Sequence, residues 1–299
     1  MKCECHGHII ADGVSYAAAM ERHKNGVDFD YVRGALEKVR GCGVDFYRDG
    51  GDKYLVSAYA KTIAGEYGID YRTPIWITHK KGCYGGMYGR AFETMKEYRA
   101  LVEEALRLGA DFVKLTVTGM LDFENGGEIL GRPFTGEELR EAVRIAKGEG
   151  LAVMAHVNGA DFILEALDAG VDSVEHGFWP DERVIGHFLD TGAVWVPTSV
   201  TVYNQIGAGR YDDDVMRRIL KAQRDVLVRA YEKGVLIACG SDAGANHVYQ
   251  GKGTDDEMRL LHEMGIDPQK GNEEIMRRFK DNEKSAASSE AALFVCLRD

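Results

Sequence analysis

Cys5-His6-Gly7-His8 closes the opening apolar stretch of the chain, and the reading of the fold starts from it. Side chains two apart on a strand point to the same side. His6 and His8 therefore present their imidazoles in one direction, a pair of ligands suited to a borderline metal such as zinc. Four further stretches sit at the ends of apolar, strand-like runs: Val113-Lys114-Leu115, Ala155-His156-Val157, Glu175-His176-Gly177 and Ser241-Asp242-Ala243. Taken singly, each has a plain reading. A lone histidine at a strand end is more often a hydrogen-bonded core residue, and Asp242 alone reads as a turn former or helix cap. A lysine inside an apolar strand is harder to place, because lysine is rarely buried without a partner. Met together and in this order, the five stretches point to one shared site.

The runs at 3–10, 44–48, 74–78, 112–117, 151–156, 173–176, 193–197 and 235–239 are short, apolar and rich in β-branched residues, as buried parallel strands are. Helical periodicity lies between them at 29–40, 92–108, 160–169, 181–189 and 212–233. A further helix opens on Thr135-Gly136-Glu137-Glu138, a capping box, and runs to Lys147. Glycine repeatedly follows a helix and precedes a strand, its favoured place just past a helix end. Strands alternating with helices imply a parallel sheet with right-handed crossovers. The predicted fold is α/β, an eight-stranded parallel (β/α)8 barrel of the TIM type; a doubly wound sheet with one strand miscounted is the rival. In a barrel every strand's C-terminal end faces one opening, where active sites sit. That places His6, His8, Lys114, His156, His176 and Asp242 around one rim, whereas an open sheet would scatter them.

With 299 residues the chain fits one barrel, and 1–299 is expected to be a single domain. Hydrophobic residues at 45% and charged residues at 28% are an ordinary globular balance. A net charge of -11 argues against nucleic acid, which needs clustered Lys and Arg, and against an anionic membrane surface. Cys3, Cys5, Cys42, Cys83, Cys239 and Cys296 form no thiolate zinc pattern, and several lie in apolar runs where buried thiols are common. No secretory leader and no run of membrane-spanning length is visible. A cytoplasmic, reduced protein with a small-molecule substrate is expected.

The ordered set His6-x-His8, Lys114, His156, His176 and Asp242 resembles the amidohydrolase superfamily, metal-dependent hydrolases on a distorted barrel. The contexts Val174-Glu175-His176-Gly177 and Gly240-Ser241-Asp242-Ala243-Gly244 are similar to its branch of imidazolonepropionase-like proteins and Xaa-Pro or Xaa-Arg dipeptidases. The resemblance covers roughly residues 1–265. It implies two divalent metal ions, with zinc expected. His6 and His8 would hold the more buried ion with Asp242, and His156 and His176 the second. Lys114 would be carboxylated on its amine and bridge both. The implied reaction is hydrolysis of an amide-type C–N bond in a dipeptide or N-acyl amino acid. A hydroxide formed from a metal-bridging water would attack the carbonyl, with Asp242 as the catalytic proton shuttle. Lactone hydrolysis, cyclic-amide opening and deamination are alternatives within the superfamily, and a non-catalytic metal-binding barrel is a second alternative.

The chain departs from the resemblance in places. It opens directly on strand one, so no complete β-sandwich is expected. Glu4 stands where an Asp is usual. Helices expected at 255–264 and 272–284 stand in for the usual last helix of the barrel, and residues 265–299 form an atypical tail with a small-residue stretch at 285–292. Such an end leaves room for a homo-oligomer. Specificity is expected from the loops after the strands. The third loop, 79–90, is long and glycine-rich and is read as a mobile lid; the fourth, 120–133, is as long. Arg48, Tyr84, Tyr88, Tyr203 and His247 are the candidate substrate-binding residues, and Lys80, Lys81 and Arg90 are candidates for meeting a substrate carboxylate.

Overall fold

β1 (Lys2–Gly7) is buried along nearly all its length, as the first strand of a barrel must be. The computed structural model describes residues 1–131 and 134–281. Arg132 and Pro133 of the fourth loop, the end of the helix expected at 272–284, the stretch 285–292 and Cys296 lie outside the described residues. After β1 come α1 (Tyr16–His23) and α2 (Phe29–Gly41), then β2 (Val44–Asp49), which pairs with β1 in parallel. Ser15 starts α1 by accepting a hydrogen bond from the Ala18 N–H, and Asp28 starts α2 in the same way through Tyr31. Sequence periodicity predicts α2 but not α1, whose polar cap is followed by a run of alanines with little amphipathic contrast.

α3 (Val56–Ala64) leads to β3 (Asp70–Arg72), which pairs with β2. The third barrel strand, expected as one run at 74–78, is two pieces. β3 ends at Arg72 and β4 (Ile77–Lys80) begins five residues later. Pro74 lacks an N–H to give a ladder, and Ile75 sits at φ 69, so the chain turns out of the sheet between them. The loose carbonyls are taken up elsewhere: Asp111 N–H donates to Thr73 O and Asp52 N–H to Ile75 O. The loop after β4 carries a short parallel strand, β5 (Arg90–Phe92), that the sequence does not announce.

α4 (Met95–Arg107), opened by a Thr94–Glu97 capping box, precedes β6 (Phe112–Thr116). The fourth loop folds into a small hairpin of β7 (Leu121–Asp122) and β8 (Glu128–Ile129). α5 (Gly136–Gly148) opens on the expected Thr135–Glu138 capping box, and β9 (Ala152–Val157), α6 (Ala160–Ala169), β10 (Ser173–His176), α7 (Arg183–Thr191) and β11 (Val194–Val196) follow in strict alternation. α8 (Val200–Tyr203), α9 (Asp213–Glu232), α10 (Lys252–Glu263) and α11 (Gln269–Arg278) complete the described chain.

The strands form two parallel arcs, β1-β2-β3 and β11-β10-β9-β6-β4-β5. The broken third strand joins them on one side. On the other, residues 235–239 bridge β11 and β1: Trp195 pairs with Ile237, and Cys5 N–H donates to Cys239 O at 2.9 Å. This eighth strand makes few ladder bonds because Cys239 N–H turns to the Asn272 side chain at 2.8 Å. The result is the (β/α)8 arrangement of a TIM-type barrel.

Inward residues of six of the strands fill the interior, with Cys5, Phe46, Phe112, Met154, Val194 and Ala238 in one buried cluster. Phe279 closes that cluster from below, edge-on to Phe112. The expected atypical tail therefore contains, in α11 and Phe279, the floor of the barrel. A larger cluster lies between the strands and the outer helices. Among the described residues, no helix is long and apolar enough to cross a membrane.

Candidate metal centre

Strand register sets the site. Ile77 of β4 pairs with Lys114 of β6, Thr116 of β6 with His156 of β9, and His156 with Glu175 of β10. Lys114, His156 and Glu175 thus climb the same inner wall. His176 would face outward by strict alternation, but its φ of 67 turns it inward beside Glu175. Asp242 is turned by the same device, at φ 58, and its N–H donates to His6 O at 2.6 Å.

All six expected ligands line one cavity of about 350 Å³ at the C-terminal mouth of the barrel. His6 Nε2 and His8 Nε2 lie 3.6 and 3.4 Å from Asp242 Oδ1, and the donor atoms of these three residues are mutually within 4.8 Å. Lys114 Nζ is 3.4 Å from His6 Nε2. The ring centres of His156 and His176 are 4.5 Å apart, and those of His6 and His176 4.9 Å. The site has two halves, with Lys114 beside the first.

The far nitrogens of His156 and His176 are held, which fixes what the near ones can do. His156 Nε2 faces the Gly119 carbonyl at 3.2 Å; a carbonyl only accepts, so the proton sits there and Nδ1 keeps its lone pair. His176 Nδ1 meets Thr198 Oγ1 at 2.7 Å, and His6 Nδ1 stands 2.9 Å from Glu175 Oε2. The ring of His8 lies over Gly50, where a Cβ would come within 2.1 Å of Cε1. Burial, aided by the Lys114 charge, pushes His8 and His156 down to about 3, and burial holds His6 and His176 well below the ordinary histidine range. Four neutral imidazoles with a carboxylate suit a divalent cation of the zinc type, and outer partners that orient such rings are a usual companion of metal ligation. Burial lowers Lys114 to about 8, against the pull of Glu175 and Asp242, and raises Asp242 to about 7, against the pull of Lys114.

The candidate substrate residues divide. Tyr84 and Tyr88 line the cavity, with their rings 5.1 Å from His156 and 6.1 Å from His8. Arg48 does not reach it. It is fully buried below the centre, where Nε donates to Cys5 O, Nη1 to Ser173 Oγ and Nη2 to the Glu175 carboxylate. As an inward residue of β2 it meets a counter-charge inside the barrel before it can meet a ligand. Tyr203 and His247 are absent from the cavity lining. Tyr203 packs against the Arg259 guanidinium, 5.3 Å from its ring centre, and His247 is tied by its backbone to Gly13 and Asn204. Lys80, Lys81 and Arg90 are paired with Glu138, Glu93 and Glu104.

Sequence reading misses Tyr16, Phe123, Phe178 and Tyr211, which supply much of the aromatic wall. They come from α1 and from loops, where periodicity carries no signal. It also misses Glu175 as more than context. A carboxylate in an apolar strand raises the same question as Lys114, and the structure answers it with Arg48.

The family model described as the amidohydrolase family matches residues 71–273. Over 185 residues the chain is 30% identical to an uncharacterized protein of Mycobacterium tuberculosis, covering 58% of this chain and 47% of the relative. It is 26% identical over 211 residues to an ochratoxinase of Aspergillus niger, covering 68% of this chain and 42% of the relative. The chain thus spans about half the length of the curated relatives it matches. Among solved structures, a Xaa-Pro dipeptidase with bound methionine superposes with a TM-score of 0.73 at 23% identity, covering 96% of this chain and 82% of that one. The A. niger ochratoxinase superposes with a TM-score of 0.70 at 21% identity, covering 96% and 71%. A barrel of this topology, its ligand-bearing strand ends and the match across residues 71–273 lead to one conclusion: the chain belongs to the amidohydrolase family.

Proposed function

We propose that the chain is a hydrolase of an amide-type C–N bond in a small substrate and that it works with two divalent cations, zinc by preference. His6, His8 and Asp242 would hold one ion and His156 and His176 the other. The observation that carries this reading is the convergence of Lys114 and four neutral imidazoles, from strands far apart in sequence, within one cavity. Bound divalent cations supply Lewis acidity and lower the pKa of water in their coordination sphere toward neutrality.

The chain's own groups do the rest. Lys114 has a role as a neutral amine, since an ammonium would repel cations. Its lowered pKa supports a share of free amine, which can add to CO2 with loss of one proton to give a carbamate. That group would offer two oxygens between the halves of the site. Asp242 accepts the proton from the attacking water and delivers it to the leaving nitrogen, a base that becomes an acid. Tyr16, Tyr84, Tyr88 and Phe178 form an apolar wall that excludes water and receives a bulky substituent of the amide. A dipeptide or an N-acyl amino acid fits the volume.

The test is metal analysis of the purified chain, followed by a panel of dipeptides and N-acyl amino acids with lactones and cyclic amides alongside. Two equivalents of metal and chelator-sensitive amide hydrolysis are expected. A chain that takes up no divalent metal, or a loaded one that cleaves only the lactones, would overturn the reading.

A further inference from the structure

A buried ion pair lies directly beneath the cavity, and neither the reaction nor packing alone accounts for it. Arg48 and Glu175 are both fully buried, and Arg48 Nη2 reaches the two carboxylate oxygens at 2.9 and 3.0 Å. Burying such a pair is costly and gives little stability over apolar residues of the same volume. What distinguishes this one is its far end. Glu175 Oε2 also stands 2.9 Å from His6 Nδ1, which has no other partner. The contact is short but not linear. Ser173 and the Cys5 carbonyl complete the set of groups around Arg48, so neither member of the pair is free to swing away.

The geometry points to Glu175 as the positioning residue of the metal centre, with Arg48 holding it in place. Glu175 accepts the Nδ1 proton of His6, which fixes the tautomer and leaves Nε2, the nitrogen beside Lys114 and Asp242, as an electron pair for a metal. It also makes that imidazole a stronger donor. His6 is the one imidazole in the cluster with a full carboxylate behind it; His156 has a carbonyl and His176 a hydroxyl. Arg48 keeps the carboxylate from collapsing onto the cations themselves. This inference rests on the metal reading above, but it concerns the order of the ligands and not the reaction.

The experiment measures zinc affinity by chelator competition, with the visible spectrum of the cobalt-loaded chain as a second readout. Glu175→Leu should weaken the tighter site by about 10–100-fold and shift the cobalt bands. Glu175→Gln keeps an acceptor for Nδ1–H and should lose less. A mutant cycle separates positioning from support of the fold. In a His6→Ala background, Glu175→Gln should change the affinity of the remaining site little, because its route of action is gone. Equal losses with and without His6, or wild-type affinity and spectrum in both Glu175 variants, would overturn the inference while leaving the metal reading intact. Should Glu175→Leu fail to fold, the Gln variant and its cycle still decide. A wild-type chain that takes up no zinc would remove the metal reading and this one with it.

Discussion

Asp242 and His176 both hold left-handed backbone, a conformation that costs a non-glycine residue of order 1–3 kcal/mol and gathers at functional sites. The expense explains the geometry: each kink turns a side chain into the mouth that strand alternation would send elsewhere. It also selects the right substitution. Asn tolerates this backbone better than other residues, so Asp242→Asn removes the proton shuttle without adding strain. Metal content should stay at the wild-type level and kcat should fall by about 10²–10⁴-fold. Metal analysis beside steady-state rates checks both. Arg48 belongs to the same scale and has a different fate from the one its position in sequence suggests. Arg48→Met would leave Glu175 buried without its counter-charge, and a loss of about 3–5 kcal/mol of stability is expected. Denaturant titration measures it; a variant as stable as the parent would show that Glu175 does not need this counter-charge. At this scale the sequence reveals Lys114 and the histidines, because polar residues in apolar runs stand out. It hides Arg48 and Tyr203, because whether a polar side chain meets a ligand or a neighbour depends on packing that a strand pattern does not contain.

Elements are legible where one force dominates. β6, β9 and β10 read cleanly because both faces are buried, and α5 because its capping box marks the start. The third strand reads poorly because Pro74 and Ile75 break it; the eighth lies at 235–239 as expected but forms only a bridge, because Cys239 gives its N–H to a helix. That helix, α11, belongs to the stretch expected as an atypical tail, and it packs tightly on the barrel. Gly271 lies so close to the eighth strand that a Cβ there would come within 2.0 Å of Ile237 O, and Asn272 caps Cys239. Gly271→Ala must lift α11 from the strand, and an overpacking cost of roughly 1–3 kcal/mol follows. A thermal melt several degrees lower is the expected sign, and an unchanged one would mean that the barrel does not depend on this contact. Gly50 offers the matching test at the mouth. Its own backbone admits alanine, but the methyl would strike His8 at Cε1. Gly50→Ala should keep the fold and weaken zinc binding by at least about tenfold, as loss of ligand positioning does.

Across the whole molecule, the site straddles the seam where β1 meets the end of the barrel. The six-stranded arc carries Lys114, His156 and His176 on a continuous ladder. His6, His8 and Asp242 come instead from the seam between β1 and the chain after residue 239, joined by backbone bonds from Cys5 to Cys239, Asp242 to His6 and His8 to Ala243 and by Ser241 N–H to the Glu4 carboxylate, with no continuous strand ladder between them. Cations shared by the two halves would therefore cross-link the seam to the arc, joining residues from 6 to 242 through one centre. Anything that binds only the folded state stabilises it by mass action, about 4 kcal/mol at a thousandfold excess over Kd. Stripping the chain with a chelator should lower its melting temperature, and zinc should restore it. The loss should also be local. Amide hydrogen exchange is expected to quicken in β1 and at 235–243 well before it does in β6 and β9, whose ladders need no metal. If chelation left the melt unchanged, or loosened both arcs alike, the centre would not be the clasp of this barrel.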